Sequence, residues 1–119
     1  MHIETFREYC LAKKGVTEGF PFGETVLVFK VMGKMFALAA IDSSPFQANL
    51  KCEPERAIEL RDEYEDIIPG YHMSKQHWNT VIIGNGRLGH KLVCELIDHS
   101  YDLVVSSLTK KQREALATL

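Results

Sequence analysis

The side chains best suited to contact a ligand are clustered between Gly70 and Thr80. This stretch reads Gly-Tyr-His-Met-Ser-Lys-Gln-His-Trp-Asn-Thr and combines basic, aromatic and amide groups. Such groups bind phosphates, stack on nucleobases and hydrogen-bond to base edges. In the alternative interpretation, Tyr71, Met73 and Trp78 pack the stretch onto the core and leave Lys75 solvated. The exposure of Trp78 distinguishes the two.

A Gly-x-Gly-x-x-Gly motif runs from Gly84 to Gly89, after a β-branched run and before an apolar helical pattern. A dinucleotide site needs more than this motif, because the pyrophosphate lies at the mouth of a parallel sheet with further crossover units. Only eleven residues follow Leu108, and Ser106 and Ser107 stand where an acidic ribose partner would be expected. We therefore predict a tight turn and a helix start here, with a phosphate contact as the alternative.

No constellation of catalytic or metal-binding residues is evident. The histidines show no His-Glu-x-x-His spacing, and no cysteine lies close to His72 and His77 in the sequence, so we expect surface or hydrogen-bonded histidines. His99, Ser100 and Asp102 combine an imidazole, a hydroxyl and a carboxylate, but adjacent helix positions point in different directions. The sequence predicts a protein that is not an enzyme and has no metal or cofactor.

The composition is that of one globular domain spanning residues 1–119. The chain has 119 residues, 45% of them hydrophobic, and a net charge of −2. Seven acids and two bases lie between Glu53 and Asp66, a charge of −5, which leaves 12 bases and 9 acids, or +3, in the remaining chain. We predict an acidic, solvated helix on an otherwise mildly basic molecule.

The apolar runs are too short for a membrane span, and the N-terminal residues lack the apolar centre of a signal peptide. We therefore expect no membrane association and a cytoplasmic protein. Cys10, Cys52 and Cys94 are far apart and odd in number, so we expect reduced thiols that are mostly buried.

Hydrophobic periodicity predicts an α+β fold in the order α-β-β-β-α-β-α. The sheet is expected to be an antiparallel meander with the helices packed on one face. The predicted helices are residues 2–13, Pro54 to about Tyr64 and a broad apolar pattern from Leu88 with a break suggested near Ser100; the predicted strands are Thr25–Val31, Met35–Ile41, Gln47–Cys52 and Thr80–Ile83. The Lys110–Arg113 tail is expected to form an exposed turn or a short helix.

Several sequence blocks resemble the MmcQ/YjbR family over nearly the whole chain. The blocks are Gly19–Gly23, Asn49–Cys52 with Pro54–Ala57, Pro69–Met73, His77–Thr80 and Ile97–Val104. The resemblance implies a small cytoplasmic bacterial protein with a frataxin-like fold, related to a "double wing" DNA-binding arrangement and to secretion-chaperone folds. The Gly-rich turn from Gly84 to Gly89 departs from the family pattern.

The resemblance implies a non-enzymatic DNA-binding module, with a possible regulatory role, that contacts DNA through one face of the sheet. Lysines would bind phosphates, and His77 and Trp78 would stack on bases or contact their edges. The residues implied are Lys30, Lys34, Asn49, Lys51, Lys75, His77 and Trp78. The alternatives are a module that binds a protein partner or forms a homodimer, as secretion chaperones do, and a frataxin-like metal binder, for which the first helix supplies only Glu4 and Glu8.

Overall fold

A computed structural model describes residues 1–71 and 73–119 and contains an α+β fold. The helices are α1 (Ile3–Leu11), α2 (Pro54–Glu63), α3 (His90–Ser106) and α4 (Lys110–Ala117). The strands are β1 (Val16–Gly19), β2 (Val26–Val31), β3 (Lys34–Ala40), β4 (Gln47–Lys51), β5 (Ile67–Pro69) and β6 (Trp78–Ile82).

The strands form one six-stranded antiparallel sheet in the order β1-β2-β3-β4-β6-β5. The main core lies between the sheet and the helices, since α1, α2, α3 and α4 all contribute to one buried cluster with one face of the strands. Phe6 in α1 packs edge-on against Phe29 and Phe46. The α+β class, the antiparallel sheet and the placement of the helices on one face are confirmed.

Local sequence explains where the helices begin. Glu53 caps α2, because its carboxylate accepts hydrogen bonds from the backbone N–H groups of Glu55 and Arg56, and a proline follows it in the first turn. The hydrogen bonds formed by Glu53 lower the pKa of its carboxyl group. Thr109 and Gln112 form a capping box that starts α4, so the predicted exposed tail is a regular helix.

The predicted element order was incomplete, because it lacked the two edge strands. β1 has only four residues and lies between the predicted first helix and the first predicted strand, and β5 has three residues and ends at Pro69. Short edge strands give weak periodicity, and an edge position tolerates proline because the strand lacks a partner on one side. The suggested break near Ser100 was also wrong, since α3 is continuous from His90 to Ser106.

The Gly84–Gly89 segment is a turn, as predicted. The backbone N–H of Gly84 donates to the carbonyl of Phe46 at 2.8 Å, and that of Gly86 donates to Ile83. Asp66 is buried beside the turn and accepts hydrogen bonds from Asn85 and Arg87. The sheet is antiparallel, so the motif does not have the parallel β-α-β setting of a dinucleotide site, and it forms a turn here.

Among the described residues, no helix has the length and apolar character needed to cross a bilayer. The three cysteines are free thiols, and Cys10 and Cys52 are buried, as expected. Burial raises the pKa of the Cys10 thiol to about 12, so it is protonated at neutral pH.

Candidate binding face of the sheet

One face of the sheet carries no helix, and we call it the helix-free face. It is formed by the strand side chains that alternate with the core positions. A second, smaller apolar cluster lies on it, in which Val28, Leu38 and Trp78 are buried and Met35 and Met73 pack against them. Both faces of strands β2 and β3 are therefore largely apolar.

An apolar groove of about 490 Å³ lies on the helix-free face. Its floor is formed by strand residues, and Phe22, Tyr71 and Met73 contribute walls from loops on two sides. Phe22 is 63% exposed and Tyr71 is 67% exposed, so two aromatic rings border the groove while remaining accessible. The strand residues that line it are Val26, Met35, Leu38, Ala40, Gln47, Ala48, Asn49 and Thr80.

A hydrogen-bond network fixes the polar side of this groove. The Thr80 hydroxyl donates to Asn49 Oδ1 at 2.5 Å, and Asn49 Nδ2 donates to the Tyr71 carbonyl at 3.3 Å. The Tyr71 N–H donates in turn to Thr80 Oγ1 at 3.0 Å. These bonds hold the start of the 71–77 segment against β4 and β6. Both polar atoms of the Asn49 side chain are therefore hydrogen-bonded within the protein.

Two lysines lie on the helix-free face, and none of its described strand positions carries an acidic residue. Lys30 follows the core residue Phe29 and pairs in register with Met35. Lys51 follows the core residue Leu50 and pairs in register with Trp78. Neither ammonium group has an ion-pair partner among the described residues. The acidic helix α2 packs on the opposite side of the sheet.

The other predicted contact residues differ in position and exposure. Lys34 lies at the helical side, where its ammonium group donates to the Ser107 carbonyl at 3.3 Å. Trp78 is only 9% exposed, so its ring cannot stack on a base in this conformation. Lys75 and His77 are exposed in the segment before β6. His72 lies outside the described residues.

Arg61 of α2 anchors the segment that borders the groove. Its Nε donates to Asn79 Oδ1 at 2.6 Å, and a terminal nitrogen donates to the Trp78 carbonyl at 3.3 Å and to the Lys75 carbonyl. Gly70 completes this packing, because a Cβ at that position would lie 2.8 Å from the Trp78 Cβ. The acidic helix thus has a structural role in shaping the opposite face.

His99 and Ser100 do not form a catalytic group with Asp102. Ser100 is fully buried, and its hydroxyl donates to the Phe36 carbonyl while accepting from the Lys51 N–H. His99 Nε2 accepts a hydrogen bond from the Glu53 N–H at 3.1 Å. Both side chains connect α3 to the end of β4 and the start of α2. Within the described residues, no group of three or more His, Cys, Asp or Glu side chains could hold a metal ion.

His99 should make folding stability depend on pH. Burial, and secondarily Arg56, lower its pKa, against smaller opposing effects of Glu53 and Asp102. Because the pKa of His99 is lower in the folded protein than in the unfolded chain, its contribution to folding stability is fully present above the unfolded-chain pKa of about 6.5. This contribution is lost as pH falls through the folded-state pKa. Urea unfolding at several pH values should show this loss, and His99→Gln should reduce it. Exposed His77→Gln is the control and should leave it unchanged; equal pH profiles for wild type and His99→Gln would contradict the assignment.

Sequence reasoning missed the groove. Met35 and Leu38 were assigned to a strand without a role, and Phe22 lay between predicted elements. A signal was available, since Met35 to Ile41 is apolar at consecutive positions instead of alternating, which indicates a strand with two apolar faces. The pairing that brings this strand beside Gln47 and Asn49 of β4, and β4 beside Thr80 of β6, could not be read from the pattern.

The fold and this face define a small two-layer α+β protein with one uncovered sheet face. The YjbR family model matches residues 11–103, and the chain therefore belongs to the YjbR family. It is 37% identical over 112 residues to the uncharacterized protein YbdF of Escherichia coli O157:H7, covering 93% of this chain and 90% of that one. It is 31% identical to the uncharacterized protein YjbR of Escherichia coli K12 over the full length of both chains.

Two solved structures are similar. The Deinococcus radiodurans protein DR2400, with a DUF419 domain, is 37% identical and superposes with a TM-score of 0.90, covering 98% of this chain and 88% of that one. A Pseudomonas syringae protein is 31% identical and has a TM-score of 0.74, covering 87% of this chain and 98% of that one. These similarities support the same α+β fold.

Proposed function

We propose that this protein is a non-catalytic binding module, that the helix-free face of its sheet is the binding surface, and that DNA is its partner. The observation that carries the proposal is the pair of lysines on the helix-free face, whose described strand positions include no acidic residue. Lys30 and Lys51 lie on the uncovered face, whereas the acidic helix α2 lies on the other side. Glu18 of the strand next to Lys30 is paired with Arg7 on the helical side. A polyanion bound on this face would meet two ammonium groups and no strand carboxylate.

The composition of the face extends this proposal beyond phosphate contacts. Gln47 lies beside the groove and has no side-chain hydrogen bond within the described part of the chain, so its amide is available to a base edge. Phe22 and Tyr71 border the groove on the helix-free face, and both are exposed. They replace the buried Trp78 as the candidates for stacking on bases. Exposed Lys75 and His77 extend the candidate contacts at the edge of the sheet.

Replacing Lys30 and Lys51 together by Gln should weaken DNA binding and flatten its salt dependence. Each phosphate contact contributes a slope of about 0.9 in log K against log salt, so losing two lowers the slope by roughly 1.8. Fluorescence anisotropy of labelled duplex and single-stranded DNA over a salt series measures both effects. Lys34→Gln is the matched control, since Lys34 lies on the helical side. This variant should bind DNA as the wild type does. Absence of binding at low salt, or an unchanged slope in the double variant, would overturn the proposal.

A second candidate is a protein-interaction module, and the apolar groove favours it. Exposed apolar surface bordered by polar groups is typical of surfaces that bind protein partners. The groove contains Met35 and Met73, whose flexible side chains adapt to varied apolar partners. The DNA titration separates the candidates, because a face built for an apolar protein segment would leave DNA unbound at low salt.

A further inference from the structure

The groove on the helix-free face has the size and lining of a small-molecule site. Ligand sites in proteins commonly enclose about 300–1,000 Å³ and combine apolar walls with few polar groups. This groove measures about 490 Å³, and most of its lining is aliphatic, aromatic or thioether. Three separate parts of the chain build it: the loop containing Phe22, the central strands, and the segment containing Tyr71 and Met73.

Two lysines, Lys30 and Lys51, do not line the groove but lie beyond one of its ends. Lys30 pairs with Met35, near the start of β3. Lys51 follows Leu50, which pairs with Ala37, so Lys51 also lies near the start of β3. Strands β2 and β4 flank β3, so the two lysine backbones are separated by two strand spacings, roughly 10 Å. Flexible lysine side chains can reach a common anion across this distance.

The residues that line the opposite end of the groove are uncharged. Val26 pairs with Ala40, and Ala40 pairs with Gln47, in one row across β2, β3 and β4. All three of these residues line the groove. An occupant that fits this distribution has an apolar chain directed toward Val26 and Ala40 and an anionic group at the lysine end.

We propose that the groove binds a small amphipathic anion with one carboxylate or similar head group and an apolar chain. The head group lies between Lys30 and Lys51, and the chain lies over Met35, Leu38 and Val26. Phe22 and Met73 cover the bound chain from the two sides. The inference rests on the helix-free face being a binding surface, as proposed above, but it does not require DNA to be the partner.

Titration with dodecanoate, below its micelle concentration, tests this site through Trp78. This residue is the only tryptophan of the chain, and it packs against the cluster that includes Leu38 and Met73. We expect a saturable change in tryptophan emission. The double variant Lys30→Gln/Lys51→Gln should weaken dodecanoate binding by roughly fivefold, because two partly exposed ion pairs are lost, and should bind neutral dodecanol as the wild type does.

Two further variants locate the site. Lys34→Gln should bind dodecanoate normally, because its ammonium group lies on the helical side. Met73→Asp places a carboxylate at the groove wall and should weaken both dodecanoate and dodecanol while the circular dichroism spectrum stays native. A linear, unsaturable emission change, or equal dodecanoate affinity in the wild type and the lysine double variant, would overturn this proposal. If DNA binds and dodecanoate does not, the amphiphile proposal fails while the DNA proposal stands.

Discussion

Gly84→Ala should destabilise the protein by about 3 kcal/mol, because the added methyl group collides with backbone atoms. A Cβ at Gly84 would lie 2.4 Å from the Phe46 nitrogen and 3.0 Å from its Cβ. The carbonyl of Phe46 accepts hydrogen bonds from both Ile83 and Gly84, and its ring packs edge-on against Phe6 with centroids 5.3 Å apart. The chain therefore cannot separate at this point without disturbing the core.

Thermal unfolding followed by circular dichroism measures this effect, and a decrease in Tm of roughly 10 °C is expected for a chain of this size. Gly89→Ala is the matched control in the same glycine-rich segment. Gly89 has a φ of −65°, and a Cβ added there would meet no neighbouring atom within 4 Å. We expect a cost of at most about 1 kcal/mol there, since only the N-cap preference changes. Similar losses for the two variants would show that close packing at Gly84 is not the cause.

Ser100→Ala should cost about 2–3 kcal/mol, although the substitution removes only one oxygen atom. The side chain is fully buried in α3, where its hydroxyl donates to the Phe36 carbonyl at 2.5 Å and accepts from the Lys51 N–H at 2.9 Å. Alanine leaves both backbone groups without this partner, and no water can easily replace it at a buried position. The loss should also loosen the end of β4, which carries Lys51.

Urea unfolding gives the change in stability, and hydrogen exchange of the Lys51 amide reports the local effect. Ser106→Ala is the control, because Ser106 is exposed near the end of the same helix and donates to the Leu103 carbonyl within that helix. Its effect should remain within about 0.5 kcal/mol. The explanation fails if Ser100→Ala is as stable as Ser106→Ala, or if the Lys51 amide exchanges at the wild-type rate.

Destabilising substitutions at Gly84 and Ser100 should also affect the proposed binding surface. Gly84 and Ser100 both lie away from the groove, yet they hold strands that build it. Arg61 has a comparable role, since it ties α2 to the segment before β6. Variants that test binding are therefore best placed at Lys30, Lys51 and Met73, whose side chains are at least partly exposed.

The sequence by itself determined the fold class and the positions of the principal elements. The alternation at Ala48 and Leu50 placed both residues in the core, and Pro54 after Glu53 marked the start of α2. These signals are local, because side-chain direction alternates along a strand and repeats every 3.6 residues along a helix. The family resemblance was carried by whole blocks and agrees with the family to which the chain belongs.

Tertiary structure decided which side chains share a surface. Lys30 and Lys51 lie on the helix-free face, whereas Lys34 lies on the helical side, although all three have the same side chain. Trp78, which sequence left undecided, is buried against Leu38 on the sheet. Strand pairing and the closure of loops join residues far apart in the chain, and no local periodicity encodes those distances. For that reason the apolar groove could not be predicted from the sequence.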